Sequence, residues 1–225
     1  MSERTRLNLD FSTALPLSHY IQSPAPRQAA GQPASIARPV FGFEYAEQSQ
    51  KTTGPCALAV ILDYHEIGWS HLPLASDGHP ESKPYLQEVM RWSETPDQAD
   101  IALDTSPTAM LKALGKAGLI AHCYHGANEP QAAELYMRLL EHELSQGRPV
   151  IALLREHTPK CNSTKPVTLI WQVVWKIGEN SVWTKTTQAR NANAAWGAQA
   201  FTEMLQTPYP GVGHVAITAE KPMPI

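Results

Sequence analysis

Gln50-Lys51-Thr52-Thr53-Gly54-Pro55-Cys56-Ala57-Leu58-Ala59-Val60-Ile61-Leu62-Asp63-Tyr64 is the stretch whose reading decides the fold. Gly54 and Pro55 mark a helix start, because proline at the first helical position gives up no needed N–H and its φ is already helical. Cys56 then falls in the first turn, where unpaired backbone N–H groups and the positive end of the helix dipole favour negative charge. A thiol placed there ionises more easily than an ordinary cysteine. Residues 57–62 are apolar on every side, the pattern of a helix buried all round rather than laid on a surface.

Gln50, six residues ahead of Cys56, makes this stretch similar to the papain-like cysteine peptidase superfamily. The resemblance implies Cys56 as nucleophile and the Gln50 side-chain amide in the oxyanion hole, a donor needed because the tetrahedral intermediate of acyl transfer carries negative charge. Within the superfamily the chain most resembles the bacteriocin-leader peptidases. Gln146-Gly147-Arg148-Pro149-Val150-Ile151 is similar to the Gly-Lys/Arg-Pro-Val-Ile lead into the first core strand of that branch. Phytochelatin synthases share the Gln-Cys element. Taken alone, Cys56 also fits a small buried thiol at a helix start, since unoxidised cysteine is among the most buried residue types.

Working outward, 225 residues suit one large domain. It is taken as residues 40–225, preceded by an extended or mobile arm, 1–39, rich in Pro, Ala, Ser and Gln and holding a strand-like alternation at 7–11. Residues 41–45 alternate as an edge strand leading to the Cys56 stretch. A hydrophobic content of 43% supplies a sizeable core, and a net charge of -3 argues against general binding to nucleic acid or anionic membranes. No apolar run is long enough to span a bilayer, so no membrane association is expected. No apolar signal core follows the first residues, so a cytoplasmic location is expected, with export by a machine that reads no such signal left open. Cys56, Cys123 and Cys161 lack paired spacing, which points to a reducing compartment rather than a disulfide framework.

No cofactor or metal is expected. His71, Asp77, His79 and Glu81 sit in a polar loop without metal-ligand spacing. His122-Cys123-Tyr124-His125 reads as strand, where alternate side chains go to opposite faces and leave at most two ligands together.

The remaining pattern predicts short helices over 85–92 and from Ser106-Pro107 to Gly118, a strand at 119–125 and a long helix from 129 or 130 to Gly147. The continuous apolar run 149–154 suits a strand covered on both faces. A hairpin follows, 167–177 and 181–188 around Gly178-Glu179-Asn180, then a helix over 191–206 and a last strand at 213–220. Helices first and an antiparallel sheet after define an α+β class, here a papain-like fold with a helical N-terminal half.

The chain departs from the leader-peptidase pattern at two positions. The family's catalytic His falls on Ile170, ahead of Trp171-Gln172-Val173-Val174, and its Asp falls on or near Thr186. Isoleucine moves no proton and threonine carries no charge to orient an imidazolium. The leading candidate for a replacement base is His214, in Gly213-His214-Val215-Ala216-Ile217, which resembles the His element of CHAP amidases; His157 is weaker.

The functional reading is a cysteine-dependent hydrolase or acyltransferase using Cys56, Gln50 and His214 on a peptide or amide-type substrate, with Trp171, Lys185 and Thr186 contacting it. The alternative keeps the fold without the chemistry, as a degenerate module that binds a peptide or protein partner, with its tryptophans lining the recognition surface. Oligomeric state is not legible.

Overall fold

The computed structural model describes residues 13–21, 34–36, 53–68, 72–74, 81–93, 105–126, 131–155, 169–185, 193–206 and 212–223. Gln50, Thr186, Cys161, His157, His71, Asp77, His79 and the expected strands at 7–11 and 41–45 lie outside them.

Helix α2 (Thr53–Tyr64) forms at the Gly54-Pro55 start, and every residue from Thr53 to Asp63 is buried. Each fully covered Leu or Ile along it contributes about 1.5–3 kcal/mol relative to leaving that side chain in water. Helices α3 (Ser82–Trp92) and α4 (Pro107–Lys116) pack on α2 and on each other. The start of α4 is set by Ser106, whose hydroxyl accepts the Ala109 N–H at 3.2 Å, with Pro107 in the first turn. Gly118, at φ 78°, ends that helix in a left-handed turn and feeds the chain into the sheet.

The sheet comprises β1 (Leu15–Pro16), β2 (Ala34–Ser35), β3 (Ile120–His125), β4 (Val150–Arg155), β5 (Leu169–Ile177), β6 (Ser181–Lys185), β7 (Asn193–Gly197) and β8 (Val215–Glu220). Its order is β1-β3-β8-β4-β5-β6-β7, with β2 paired to β5. The last strand therefore lies between β3 and β4, and all pairings are antiparallel except the short β1–β3 contact. Strand β4 is buried from Val150 to Leu154, as a central strand covered on both faces must be. Helices α1 (Leu17–Ile21) and α5 (Ala132–Ser145) lie over the face that carries His122, Tyr124, Thr218 and Glu220. The described parts of the N-terminal arm are built into this fold: Leu17, Ala34 and Ile36 belong to the core, and β1 and β2 extend the sheet.

One expected element is different. Residues 191–206 read as a single helix, but Asn193–Gly197 forms β7 and only Ala198–Leu205, α6, is helical. The alanines favour helix, yet β6 presents a partner edge, and Trp196 Nε1 donates to Thr184 Oγ1 at 2.9 Å across the pair. Tertiary pairing outweighs a local preference of a few tenths of a kcal/mol per residue.

Candidate functional site

The start of α2 meets the sheet at one defined point. β6 pairs with β5 only from Val173 onward, so at 169–172 no described strand occupies that side of β5. Thr53, the first residue of α2, fills the place: its Oγ1 accepts the Trp171 N–H at 3.1 Å. Ile170, half-buried, lies beside this junction and pairs in register with Leu154 of β4. The helix residue that meets β5 next to Ile170 is therefore Thr53, three residues before Cys56. Gly54 is required here by close approach, because a Cβ would lie 2.6 Å from both Cβ and Oγ1 of Thr105 and 3.1 Å from Met110 Cε.

Cys56 occupies the first turn of α2, 1% exposed among core side chains. Cys123, equally covered, has its thiol pushed up to about 12 by burial.

His214 stands just ahead of β8 in a left-handed conformation, φ 49°. Its N–H donates to Leu205 O at 3.4 Å and its carbonyl accepts from Gly126 N–H at 3.3 Å. The imidazole packs edge-on against Tyr136 of α5, ring centres 6.1 Å apart, and its Nε2 has no hydrogen-bond partner among the described residues. Burial, and then the neighbouring His125, hold its pKa below the ordinary value of 6.5. Continuing the β4–β8 register places His214 opposite Leu154, in the same row as Ile170 but two strands away. Two inter-strand steps are roughly 10 Å. The described contacts of His214 thus lead to α5, α6 and β3, and none is made to Cys56.

Of the expected substrate contacts, Trp171 is 1% exposed and belongs to the core. It contributes packing and one backbone N–H to the junction rather than an accessible ring. Lys185 is also buried, its Nζ donating to Asn193 Oδ1 at 3.3 Å, and burial lowers its pKa. Trp175 and Trp183, two of the half-buried tryptophans, have ring centres 6.2 Å apart, with Lys176 Nζ 5.3 Å over the Trp183 ring. No group of three or more metal-ligating side chains comes together among the described residues.

Thr53 is the site residue that sequence reading passed over. A hydroxyl directly ahead of Gly-Pro has the chemistry of a helix cap; that it would accept from a strand depends on the β5–β6 register, which no local pattern carries.

Known structures share the fold. A double-glycine-motif protease from an AMS/PCAT transporter, solved with its leader peptide, aligns over 84% of this chain and 99% of its own at a TM-score of 0.50 and 12% identity. The peptidase domain of Streptococcus ComA, a bifunctional ABC transporter of a quorum-sensing pathway, aligns over 81% of this chain and 98% of its own at 0.51 and 12%. No family model and no curated protein matches the sequence. The fold is that of the papain-like leader-peptidase domains, and at 12% identity the likeness is one of fold. No helix among the described residues is long and apolar enough to cross a membrane.

Proposed function

We propose that this chain is a papain-like module that recognises an extended peptide without cleaving it. The observation that carries the reading is the Thr53 Oγ1–Trp171 N–H bond at 3.1 Å, beside Ile170. Among the described residues, the side chains noted at the point where α2 meets β5 are the Thr53 hydroxyl and the Ile170 alkyl group. Acyl transfer needs an activated nucleophile and a base within hydrogen-bond reach, on the order of 3 Å. Among the described residues, the His214 imidazole packs against Tyr136 and beside His125, two strands away from the α2–β5 junction.

The fold supports a peptide as the ligand, since the transporter protease of the same architecture is seen with its leader peptide. Trp175 and Trp183, half-buried on the β5–β6 hairpin, supply the recognition surface, because such rings give large contact area at small entropic cost. Calorimetric titration with a double-glycine leader peptide tests this. Wild type is expected to bind saturably, and Trp183→Ala to weaken binding about tenfold or more at little change in melting temperature. Equal affinity of the two proteins would move recognition elsewhere, and absence of saturable binding would remove the peptide.

A further inference from the structure

On the sheet face covered by α1 and α5 lies a cleft of about 200 Å³, apart from the α2–β5 junction. It is lined by Tyr20, His122, Tyr124, His142, Glu143 and Arg148, with Ile120, Thr218, Ala219 and Glu220 completing it. Four of its rings form an unbroken series. His142 and Tyr20 lie with ring centres 5.5 Å apart, Tyr20 and Tyr124 5.2 Å, and Tyr124 and His122 6.3 Å. Their planes meet at 70°, 82° and 42°, so the series turns as it runs rather than forming a flat stack.

The charges of the cleft do not cancel. Arg148 Nε and Nη2 donate to Glu143 at 2.7 and 3.0 Å, and Nη1 donates to Glu220 Oε2 at 2.6 Å. Tyr20 Oη donates to Glu143 Oε1 at 2.8 Å, so both oxygens of that buried carboxylate are engaged. One guanidinium against two carboxylates leaves a net negative charge. It resides toward Glu220, whose side chain is 45% exposed and whose Oε1 makes no hydrogen bond among the described residues. Burial raises the Tyr20 and Tyr124 phenols above their ordinary value, and the Glu143 carboxylate adds to the rise, so both rings are neutral and keep electron-rich faces. Ile120, 44% exposed, gives the rim an apolar wall.

We infer that this cleft binds a small organic cation of the methylated-ammonium class. Aromatic faces attract a cation through the ring quadrupole, and quaternary ammonium groups are typical guests of aromatic-lined sites. The Glu220 carboxylate supplies the counter-charge, and Ile120 with the ring edges accommodates methyl groups. The volume falls below the ~300 Å³ at which sites for larger ligands begin, which suits a headgroup of a few heavy atoms. An anionic ligand meets net negative charge, and every Arg148 donor group that could hold it already faces a carboxylate.

Titration calorimetry of the full chain with tetramethylammonium chloride tests the inference, with sodium chloride and glucose as controls at matched concentration. Saturable binding of tetramethylammonium is expected, with neither control binding. Tyr124→Leu removes a ring whose hydroxyl makes no described hydrogen bond, and Glu220→Gln removes the counter-charge; each is expected to weaken binding about fivefold or more. His122→Ala, at an exposed position, removes a rim ring with the fold left intact and is expected to weaken binding in the same direction. Glucose binding as tightly as the ammonium, absence of saturable heat with wild type, or unchanged affinity in His122→Ala and Tyr124→Leu proteins that melt like wild type would each overturn it.

Discussion

Thr53 does at the head of α2 what a helix-capping residue does, but for a strand: it supplies the acceptor for Trp171 N–H beyond the described β5–β6 pairing. A buried donor left without a partner costs about 1–3 kcal/mol. Thr53→Val keeps shape and removes the acceptor, so it is expected to lower unfolding free energy by about that amount, while Thr53→Ser stays close to wild type. Urea titration at constant slope separates the two. His214 gives a second residue-scale expectation, this one in pH. Its folded-state pKa lies below the ordinary 6.5 through burial and the nearness of His125, and among the described residues the Tyr136 ring of α5 also packs against it. As pH falls through that value the unfolded chain takes up a proton that the folded chain declines, so stability present at neutral pH is lost on acidification. His214→Asn, neutral and tolerant of φ 49°, is expected to show a shallower loss of stability between about pH 7 and pH 5 than wild type. A steeper loss would mean the imidazole is stabilising in its charged form.

At the scale of elements, much was legible because pattern and burial agree. The apolar run after Gly54-Pro55 became α2, Ser106-Pro107 opened α4, and the Val150–Arg155 run became the central strand. What was not legible depends on partners distant in sequence. Asn193–Gly197 is a strand because β6 lies beside it, and the insertion of β8 between β3 and β4 follows from no local signal. The site divides the same way. That isoleucine stands directly ahead of Trp171 could be read directly, whereas the meeting of Thr53 with Trp171 and the distance of β8 from β5 could not. Gly54 belongs to this scale too: it lets α2 and the lead into α4 approach within the space a methyl group would fill. Thr105, branched at Cβ, has little freedom to move aside. Gly54→Ala is therefore expected to destabilise the protein by about 1–3 kcal/mol, although alanine is the better helix former. A melting temperature at or above wild type would show that α4 can yield.

For the molecule as a whole, the papain-like architecture places a buried helix against the edge of a central strand, and here the two are joined by a hydroxyl and a backbone amide. The overall fold is similar to that of solved leader-peptidase domains, and the chemistry proposed for it is recognition alone. The direct measurement is mass spectrometry of a double-glycine leader peptide incubated with the protein at concentrations where calorimetry shows it bound. Peptide that stays intact, with no acyl adduct on Cys56, is the expected result. Cleavage, or an adduct on Cys56 that disappears in Cys56→Ala, would contradict the account and restore the thiol as a nucleophile.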